Sequence, residues 1–471
     1  MQECIFPKRI DVCSHTVYEN LLKKQPLQIG LSEKYITSFK KNDFIVLDYG
    51  KEMSGSIRIL TYTAKNISVR IRFGESLTEC CAELGGKQNA TNNHSLRDFT
   101  VKLQDYSDMT FCNTGFRFVR IDFSGAAQIK SIVAQNSILN KKSLFVYNGE
   151  DEHIKKIFLT AKRTIDLCAA GKYLWDGIKR DRLVWIGDIH PEMLALTALY
   201  GRMKIIERSL EFVKEQTPLP EWMNWYPMYS MWWIIIVADY FTITGAEDFT
   251  VRQIEYISGL MDLMLNYVTE EGETNYPLNF VDWPTHETDD EIQGVRAINI
   301  IATKKAIQLL SRFGESCENA EKLLTRLMKK DIKVQESKSV LGLKYFAVGL
   351  NKEDKQKLIA GGAKGLTTFM GYYILKAVAS FNKGKAIEIM KAYYGGMIEK
   401  GATTFWEDFD IDWLQNSCRI DEMPKVGQKD IHGDFGAYCY KGFRHSLCHG
   451  WSAGIIAFIK DECCFQLPIN S

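Results

Sequence analysis

The 471-residue sequence lacks an excess of charge of either sign, a long hydrophobic run and a hydrophobic leader. Its formal net charge is +1, so we expect neither nucleic acid nor an anionic membrane as a partner. The longest apolar run, 231–238, is far shorter than the roughly 20 residues that cross a bilayer, and Asp239 ends it. The N-terminus carries an early acid, Glu3, and has no apolar core of a signal peptide. These absences predict a soluble, cytoplasmic protein.

The sequence also lacks a pattern typical of disulfides or of a metal site. Its twelve cysteines are scattered, and a long chain that is not exported more often keeps such cysteines reduced. His445 and His449 have the i, i+4 spacing of metal-binding histidines on a helix, but the glutamate of the metalloprotease motif is missing between them and no third ligand is evident. We therefore expect neither a metal nor a cofactor. Charged residues at 25% and apolar residues at 46% are ordinary values for a folded chain of two or three domains.

Tryptophan is absent from the first 174 residues, although the chain contains ten. The flat face of an indole packs well against the C–H groups of a sugar ring, and carboxylates at the ring's edge can bind hydroxyls or act as acid and base on a glycosidic bond. A tryptophan in the core beside an ordinary surface acid would explain any single pair equally well. Repetition in one region indicates a carbohydrate enzyme. The pairs are Trp175-Asp176, Glu221-Trp222, Asp282-Trp283, Trp406-Glu407 and Asp412-Trp413.

The sequence before residue 147 alternates apolar and polar residues in short stretches. Segments 67–73, 99–103 and 119–123 have period two and are rich in β-branched and aromatic residues, which predicts half-buried strands. Glycines punctuate these stretches as turns. About eight strands fit this length. We predict that residues 1–147 form an antiparallel β-sandwich of jelly-roll type.

After residue 148 the pattern becomes helical. Successive helices joined by long loops fit an (α/α)6 toroid of six hairpins over 148–471. This prediction rests on the number of helices, because the sequence shows no repeat of fixed period. The segments with apolar residues at helical spacing are 150–170, 192–214, 228–244, 248–268, 290–313, 318–334, 366–381, 384–399 and 446–460.

Two loops between these helices concentrate charged and aromatic residues. The first, 175–188, contains three acids and three bases framed by two tryptophans. Charges between apolar helices must be paired and held, because burying them unpaired costs several kcal/mol. The second, 401–408, follows a helix and ends in Trp406-Glu407-Asp408. Each loop also has a purely structural interpretation: an ion-paired loop in which Asp188 caps the next helix, and a helix C-terminus with exposed acids.

Together these stretches resemble the α-L-rhamnosidases of glycoside hydrolase family 78, in the six-hairpin glycosidase superfamily. The resemblance covers most of the chain, and its first and last motifs are long and specific. It implies an (α/α)6 catalytic barrel preceded by a β-sandwich, hydrolysis of terminal α-L-rhamnose with inversion, and no redox cofactor. The implied partner is a rhamnose-containing glycoside or oligosaccharide. The segments that carry the resemblance are Asp176–Asp188 (form D-x-x-x-R-[ED]-R-x-x-W-x-G-D), Asp282-Trp283-Pro284, Gly401–Glu407, His445–Gly454, Leu47–Gly50 and Arg72–Glu75.

By position in these motifs, the resemblance implies Asp181 as the general acid and Glu407 as the general base. The acid position commonly holds glutamate in the family, so Asp181 is one methylene shorter. The neighbouring Arg180 and Arg182 would keep it ionised by contact, so for Asp181 to donate a proton they must pair elsewhere. The implied sugar-binding residues are Asp176, Arg180, Trp185, Asp188, Asp282, Trp283 and His449.

Asp176 and Asp188 are the obvious partners for the two arginines. If the arginines do not pair with them, Asp181 binds sugar hydroxyls, and Asp176 or Asp188 becomes the candidate acid. Three other functions stay open: an (α/α)6 hydrolase acting on a related sugar or uronide, an inverting phosphorylase, and a degenerate sugar-binding protein. A phosphorylase would need a phosphate site in place of Glu407. The sequence determines neither the aglycone nor whether the protein is a homo-oligomer.

Overall fold

Eight antiparallel strands occupy the N-terminal part of the computed structural model, which describes residues 2–15, 18–30 and 34–464. The hydrogen-bonded order is β1-β8-β4-β7-β5-β6, with β2 paired to β4 and β3 paired to β8. The strands are β1 (Gln2–Ile5), β2 (Arg9–Cys13), β3 (Thr37–Phe39), β4 (Phe44–Thr63), β5 (Ser68–Gly74), β6 (Asp98–Lys102), β7 (Ser107–Phe123) and β8 (Ala127–Ser137).

The three strands that alternation predicted are confirmed: two are β5 and β6, and the third is the end of β7. The long strands β4 and β7 pair along most of their length, with register shifts between Asp48 and Met53 and between Gly55 and Ile57. One face of the sheet buries an apolar core that includes Leu47, and the other packs Val46 against the short helix α1 (Leu77–Cys81). Both faces of the sheet are therefore covered. On the second face, α1 also contacts the helical part of the chain through Leu77.

Helices fill the rest of the described chain. The helices predicted near 228–244, 290–313 and 384–399 agree with α5, α8 and α13 to within a residue or so. The segment 318–334 ends earlier than predicted, and 446–460 starts later, with a 3-10 turn at Gly450–Gly454. The helices are α1 (Leu77–Cys81), α2 (Glu152–Cys168), α3 (Ile186–Tyr200), α4 (Lys204–Gln216), α5 (Pro227–Thr244), α6 (Glu247–Thr250), α7 (Ile254–Leu265), α8 (Asp289–Arg312), α9 (Glu318–Leu327), α10 (Lys338–Val348), α11 (Lys352–Ile359), α12 (Gly371–Ala379), α13 (Lys383–Glu399) and α14 (Ile455–Phe458).

Helices α10 and α11 escaped sequence prediction for different reasons. Most of α10 is buried, so it lacks the polar face that makes a helical period visible. Helix α11 is short and mostly polar, and only Asp354 and Leu358 in it are buried. Its capping box, in which Asn351 and Asp354 bond each other's backbone N–H groups, marks its start.

Six helical segments contact one another in a closed ring. Helix α3 packs on α5, α5 on α8, α8 on α10, and α10 on α12. Helix α12 contacts α14, and α14 returns to α3. Every residue of α3 is buried, whereas α4, which follows it, has a mixed buried and polar surface. The ring helices thus form the interior of the helical part. None of the described helices is both long and apolar enough to cross a membrane.

The sheet packs directly against the loops of the helical part. The Glu52 N–H donates to Thr403 Oγ1 at 2.8 Å, and the Leu77 N–H donates to the Ile420 carbonyl at 2.8 Å. At Gly115 in β7, a Cβ atom would lie 2.7 Å from the backbone nitrogen of Lys179. A glycine is needed there because the strand touches the backbone of the charged loop 175–188. This contact sets the position of that loop relative to the sheet.

Candidate active site

The loop 175–188 joins α2 to α3 and is closed on itself by Asp176. The Asp176 N–H donates to the Leu183 carbonyl at 3.2 Å, and Asp176 Oδ1 accepts the Leu183 N–H at 2.8 Å. At the tip, Asp181 and Arg182 have φ values of +58° and +54°. Such left-handed conformations are costly for residues other than glycine and collect at functional sites. The Asp176 carbonyl accepts the Gly450 N–H at 2.7 Å, which joins this loop to the last helical segment.

A cavity of about 180 Å³ opens between this loop, the start of α3 and the segments around 280, 407 and 445. Eight of the nine residues singled out from the sequence line it; the ninth, Asp282, does not. Both implied catalytic carboxyl groups are among the lining residues. The full lining is Asp176, Arg180, Asp181, Trp185, Asp188, Tyr226, Tyr229, Phe280, Trp283, Glu407, Cys439, Arg444, His449 and Trp451.

Glu407 is buried and held at three points. Its Oε2 accepts the Ser446 N–H at 2.9 Å, and its own N–H donates to the Ser446 carbonyl at 2.9 Å. Its Oε1 accepts a hydrogen bond from Arg180. Burial raises the pKa of Glu407, whereas the Arg180 charge and the Ser446 N–H oppose this rise. The sequence interpretation of Glu407 as an exposed acid at a helix end is therefore wrong.

Arg180 bridges the two implied catalytic carboxylates. One of its terminal nitrogens donates to Asp181 Oδ2 and the other to Glu407 Oε1. The other Asp181 oxygen lies 2.6 Å from His94 Nδ1. His94 belongs to the β-rich part of the chain, which contains β1 to β8, and the sequence did not single it out. Asp181 therefore meets a guanidinium and an imidazole, and its side chain is 15% exposed.

The expected pairing of the arginines with Asp176 and Asp188 is wrong for both. Arg182 lies over the ring of Trp175 at 4.9 Å and donates to the Ile178 carbonyl at 2.8 Å. Arg180 bonds Asp181, as described above. Asp188 does not cap α3 either, because that helix begins at Ile186 and places Asp188 inside its first turn.

Asp176 and Asp188 are buried carboxyl groups without a bonded cation. Burial, offset only in part by the Leu183 N–H, raises the pKa of Asp176 to about 8. Burial, and then the neighbouring Asp176, raises the pKa of Asp188 well above its usual range. Asp188 Oδ1 has no hydrogen-bond partner and lies 3.9 Å from His449 Nδ1, which is also unpartnered. Two buried polar atoms without hydrogen-bond partners therefore lie next to each other. Burial lowers the pKa of His449 well below its usual range, which favours the neutral imidazole.

Asp282 and Trp283 have separate positions. Asp282 caps a 3-10 turn: its Oδ1 accepts the Thr285 N–H at 3.0 Å, and its Oδ2 accepts the Ser339 hydroxyl at 2.6 Å. It lines a narrow side cavity of about 10 Å³ that also touches Glu407. Trp283 lines the main cavity, and its ring stacks on Tyr438 at 5.7 Å. The structure thus shows a structural role for Asp282.

Several lining residues escaped sequence reasoning. Trp451 lies inside the motif His445–Gly454, and Phe280 lies two residues before Asp282, so their closeness to residues already singled out could have identified both. Tyr226 and Tyr229 carry no such signal, since they only begin the apolar helix α5. At Gly187 in α3, a Cβ atom would lie 2.6 Å from the Tyr229 ring. The glycine of the first motif therefore makes room for this aromatic wall.

The histidine pair considered as metal ligands does not converge on one point. His445 Nε2 accepts the Asp408 N–H at 2.9 Å, away from the cavity that His449 lines. Among the described residues, the group with metal-ligand spacing is Glu75, Glu79 and His432. The Lys179 ammonium already lies 3.0 Å from Glu75 and 3.3 Å from Glu79. A cation of the protein itself, the Lys179 ammonium, therefore already contacts both carboxylates.

Solved structures of α-L-rhamnosidases superpose on most of the chain. A rhamnosidase from Klebsiella oxytoca with rhamnose bound aligns with a TM-score of 0.77 and 17% identity, covering 98% of this chain and 96% of the other. A family 78 rhamnosidase of a Bacillus species aligns with a TM-score of 0.69 and 17% identity, covering 94% of this chain and 48% of the other. For the α-L-rhamnosidase from Dictyoglumus thermophilum the TM-score is 0.65 at 15% identity, with 90% and 51% covered.

This chain spans about half the length of the latter two proteins. No protein-family model matches the sequence, and no curated protein matches it either. At such low sequence identity the superpositions establish a shared architecture. Over nearly its whole length, the protein has the fold of the α-L-rhamnosidases.

Proposed function

We propose that the protein is a glycoside hydrolase that releases terminal α-L-rhamnose with inversion of configuration. The observation that carries this proposal is the cavity of about 180 Å³ that combines the buried carboxylate of Glu407, a second carboxyl group at Asp181 and aromatic walls. Two carboxyl groups and aromatic faces are what hydrolysis of a glycosidic bond requires. The shared fold with α-L-rhamnosidases, one of them with rhamnose bound, supports the choice of sugar.

The unpartnered polar atoms of the cavity support sugar binding. The side chains of Asp188 and His449 both line the cavity, and each has one buried polar atom without a hydrogen-bond partner in the protein. A sugar hydroxyl can donate to the carboxyl oxygen and accept from an imidazole N–H. Trp185, Trp283 and Trp451 supply flat apolar faces at the same cavity. Polar side chains and flat apolar faces thus line one cavity, the combination that a monosaccharide unit can contact on its hydroxyl groups and on its C–H faces.

Glu407 is the proposed general base. The Ser446 N–H and Arg180 fix its carboxylate and favour its ionised form. In the reaction, the carboxylate takes a proton from a water molecule whose oxygen forms the new bond to the anomeric carbon. The glycosidic C–O bond breaks at the same time, and the leaving oxygen receives a proton from the general acid. Each turnover thus consumes one water molecule and leaves the base protonated and the acid ionised. One proton then returns from the base to the acid through solvent.

Asp181 is the proposed general acid, because it stands at the acid position of the motif and faces the cavity. The bridge from Arg180 favours a second candidate for this role. Arg180 already bonds Asp181, whereas burial raises the pKa of the neighbouring Asp176 to about 8 and so keeps a proton on it at neutral pH. If Arg180 stays on Asp181 when substrate binds, Asp176 is the acid and Asp181 binds hydroxyls. Substitution of each residue decides between them, as argued in the Discussion.

We also propose that residues 148–471 form an (α/α)6 toroid and that residues 1–147 form a jelly-roll-like β-sandwich. The closed ring of α3, α5, α8, α10, α12 and α14 supports the toroid. The long bulged strands β4 and β7, with a shared apolar core, support the sandwich. A cytoplasmic location stays a prediction, which the twelve free cysteines support.

A screen of aryl glycosides, with NMR detection of the anomer first released, tests the proposed function. Aryl α-L-rhamnoside should be hydrolysed to β-L-rhamnose. An apolar wall that accepts the C6 methyl group should favour α-L-rhamnosides over α-L-mannosides, which carry CH2OH at C6, by about 10- to 200-fold. Release of the α-anomer would overturn the inverting mechanism. Turnover of a uronide but not of a rhamnoside would favour the related-sugar alternative, and binding without turnover would favour a degenerate sugar-binding protein.

A further inference from the structure

The segment 443–447 holds the proposed base from behind. Ser446 forms two hydrogen bonds with Glu407: its N–H donates to Oε2 and its carbonyl accepts the Glu407 N–H, both at 2.9 Å. The position of the Glu407 carboxylate therefore depends on the position of Ser446. The segment is irregular apart from a 3-10 turn at Gly442–Arg444, so no regular helix or sheet ladder holds it in place.

Two charged side chains outside the cavity hold this segment at both ends. Glu75, which follows β5, accepts the Leu447 N–H at 2.6 Å and the Ser446 hydroxyl at 3.3 Å. Lys179 donates to the Phe443 carbonyl at 2.8 Å and to the His445 carbonyl at 2.5 Å. The Lys179 ammonium lies 3.0 Å from Glu75 Oε2. A continuous set of contacts thus runs from the β-rich part, through Ser446, to Glu407.

A cluster of buried charged side chains costs more free energy than a purely structural support requires. Glu75 is fully buried, and its neighbours Glu79 and Lys179 are buried as well. Burial raises the pKa of Glu75 to about 7, although Lys179 lowers it. Apolar residues of similar volume often stabilise a protein as well as a buried ion pair does, or better. A charged cluster at this place is therefore better explained by a need to orient the backbone groups of 443–447.

We propose that Glu75 is a positioning residue for Glu407, so that the β-rich part of the chain sets the geometry of the base. The inference rests on the proposed function of Glu407 as base. Glu75 does not line the cavity, so its effect passes through Ser446 and Leu447. Loss of its charge should move the base relative to the attacking water and leave the sugar-binding groups in place.

Glu75→Gln tests this, because glutamine keeps the shape and an acceptor for the Leu447 N–H but loses the attraction to Lys179. The kcat on aryl α-L-rhamnoside should fall about 10- to 100-fold, with KM within about twofold of the wild type. Lys179→Met should give a similar loss, and the double variant should lose little more, because both act through one segment. The matched control is Asp48→Asn, which breaks another buried ion pair of the β-rich part, with Arg117 at 2.9 Å. It should lower the melting temperature and leave kcat within about twofold.

A merely structural role predicts equal effects of Glu75→Gln and Asp48→Asn on stability and none on kcat, which would overturn the proposal. If Glu75→Gln does not fold, Glu75→Asp, which keeps the charge but shortens the reach, is measured in the same way. Crystal structures of the wild type and the variant separate this proposal from the proposed function. If the wild type hydrolyses no glycoside, the proposed function fails. A displaced Ser446–Glu407 pair in the variant structure would still support the positioning role of Glu75. An unmoved pair would overturn that role.

Discussion

Carboxyl groups that line the same cavity differ in their surroundings, and the surroundings decide which of them favours the protonated form. Asp176 and Asp188 are buried without a bonded cation, so the pKa of each is raised. Glu407 is equally buried but receives Arg180 and a backbone N–H, which oppose the rise of its pKa. Burial thus favours the neutral form of Asp176 and Asp188, whereas Arg180 and the Ser446 N–H favour the ionised form of Glu407.

Glu407→Gln should lower kcat for aryl α-L-rhamnoside by about 100- to 10,000-fold, because the amide cannot accept a proton from water. Sugar binding, measured by calorimetry with rhamnose, should change little. Asp410→Asn is the control, since Asp410 lies outside the cavity and only caps a short turn. Retention of more than about a tenth of the wild-type kcat in Glu407→Gln would remove the base from Glu407.

Asp181→Asn and Asp176→Asn together identify the acid. Alkyl and sugar leaving groups need protonation in the transition state and activated aryl groups need little, so loss of the acid should damage rhamnosyl disaccharides far more than activated aryl rhamnosides. If Asp181 is the acid, Asp181→Asn shows this split and Asp181→Glu stays active. If Asp176 is the acid, Asp176→Asn shows it instead. Equal losses on both substrates for a variant mean that the residue only holds the sugar.

The pH dependence of kcat/KM follows from the raised pKa values. If Glu407 is the base, hydrolysis needs its ionised form. Burial raises the pKa of Glu407, so the acid limb should lie at a higher pH than the usual glutamate pKa of about 4.3. If Asp176 is the acid, the rate should fall as the pH rises through about 8. Asp176→Asn should then remove the alkaline limb. An unchanged alkaline limb in that variant would contradict the assignment.

At the scale of elements, the first turn of α3 builds one wall of the cavity. Trp185 precedes it, and Asp188 lies within it. Gly187 between them lets the Tyr229 ring of α5 approach the helix backbone. Two helices thus meet closely at the point where both contribute lining residues. The fit between α3 and α5 is consequently part of the site.

Gly187→Ala should lower the free energy of unfolding by about 1–3 kcal/mol, because the added methyl group would overlap the Tyr229 ring. The shift of that ring should also lower kcat/KM by roughly tenfold or more. Gly384→Ala is the matched control: it lies at the exposed start of α13, where a Cβ atom would meet only Asn382 Oδ1 at 3.9 Å. That variant should be as stable as the wild type or slightly more stable, with unchanged activity. Equal effects of the two substitutions in chemical unfolding would contradict the close fit.

At the scale of the whole molecule, buried carboxyl groups around the cavity lower the stability of the fold. Asp176, Asp188 and Glu192 are buried carboxyl groups whose pKa values are raised by burial. Glu192 has no hydrogen-bond partner on either oxygen. Groups of this kind favour the unfolded chain at any pH where they would ionise in water. A folded protein tolerates them because the large cores of the helical and β-rich parts supply the compensating free energy.

The effect of Asp176 on the free energy of unfolding depends on pH over a definite range. Its folded-state pKa of about 8 exceeds the value of about 3.9 in an unfolded chain. Between these values the unfolded state releases the proton and the folded state keeps it, so this group makes stability fall as the pH rises from about 4 to about 8. Asp176→Asn should therefore be more stable than the wild type at pH 8, by about 0.5–2 kcal/mol, and gain less at pH 5. Chemical unfolding at the two pH values measures the difference; a variant that is less stable at pH 8 contradicts it.

Sequence alone determined the order of element types and the main candidate residues. Alternation marked β5 and β6 and the end of β7, and helical period marked most helices, because each reports which side of an element is buried. The charged loop 175–188 and the segment ending at Glu407 were visible as motifs. Helix α10 was not, since an element buried on most sides shows no period. Eight of the nine residues singled out line one cavity.

Only the tertiary structure decided how these residues are paired. Arg180 joins Asp181 to Glu407 across more than two hundred residues of sequence, and His94 reaches Asp181 from the β-rich part. Asp282 caps a 3-10 turn, and Glu75 holds the segment that is hydrogen-bonded to Glu407. Sequence periodicity reports which face of a local element is buried. Hydrogen bonds and ion pairs depend on distances of a few ångströms between distant segments, and those distances are set by how the sheet and the helices pack together.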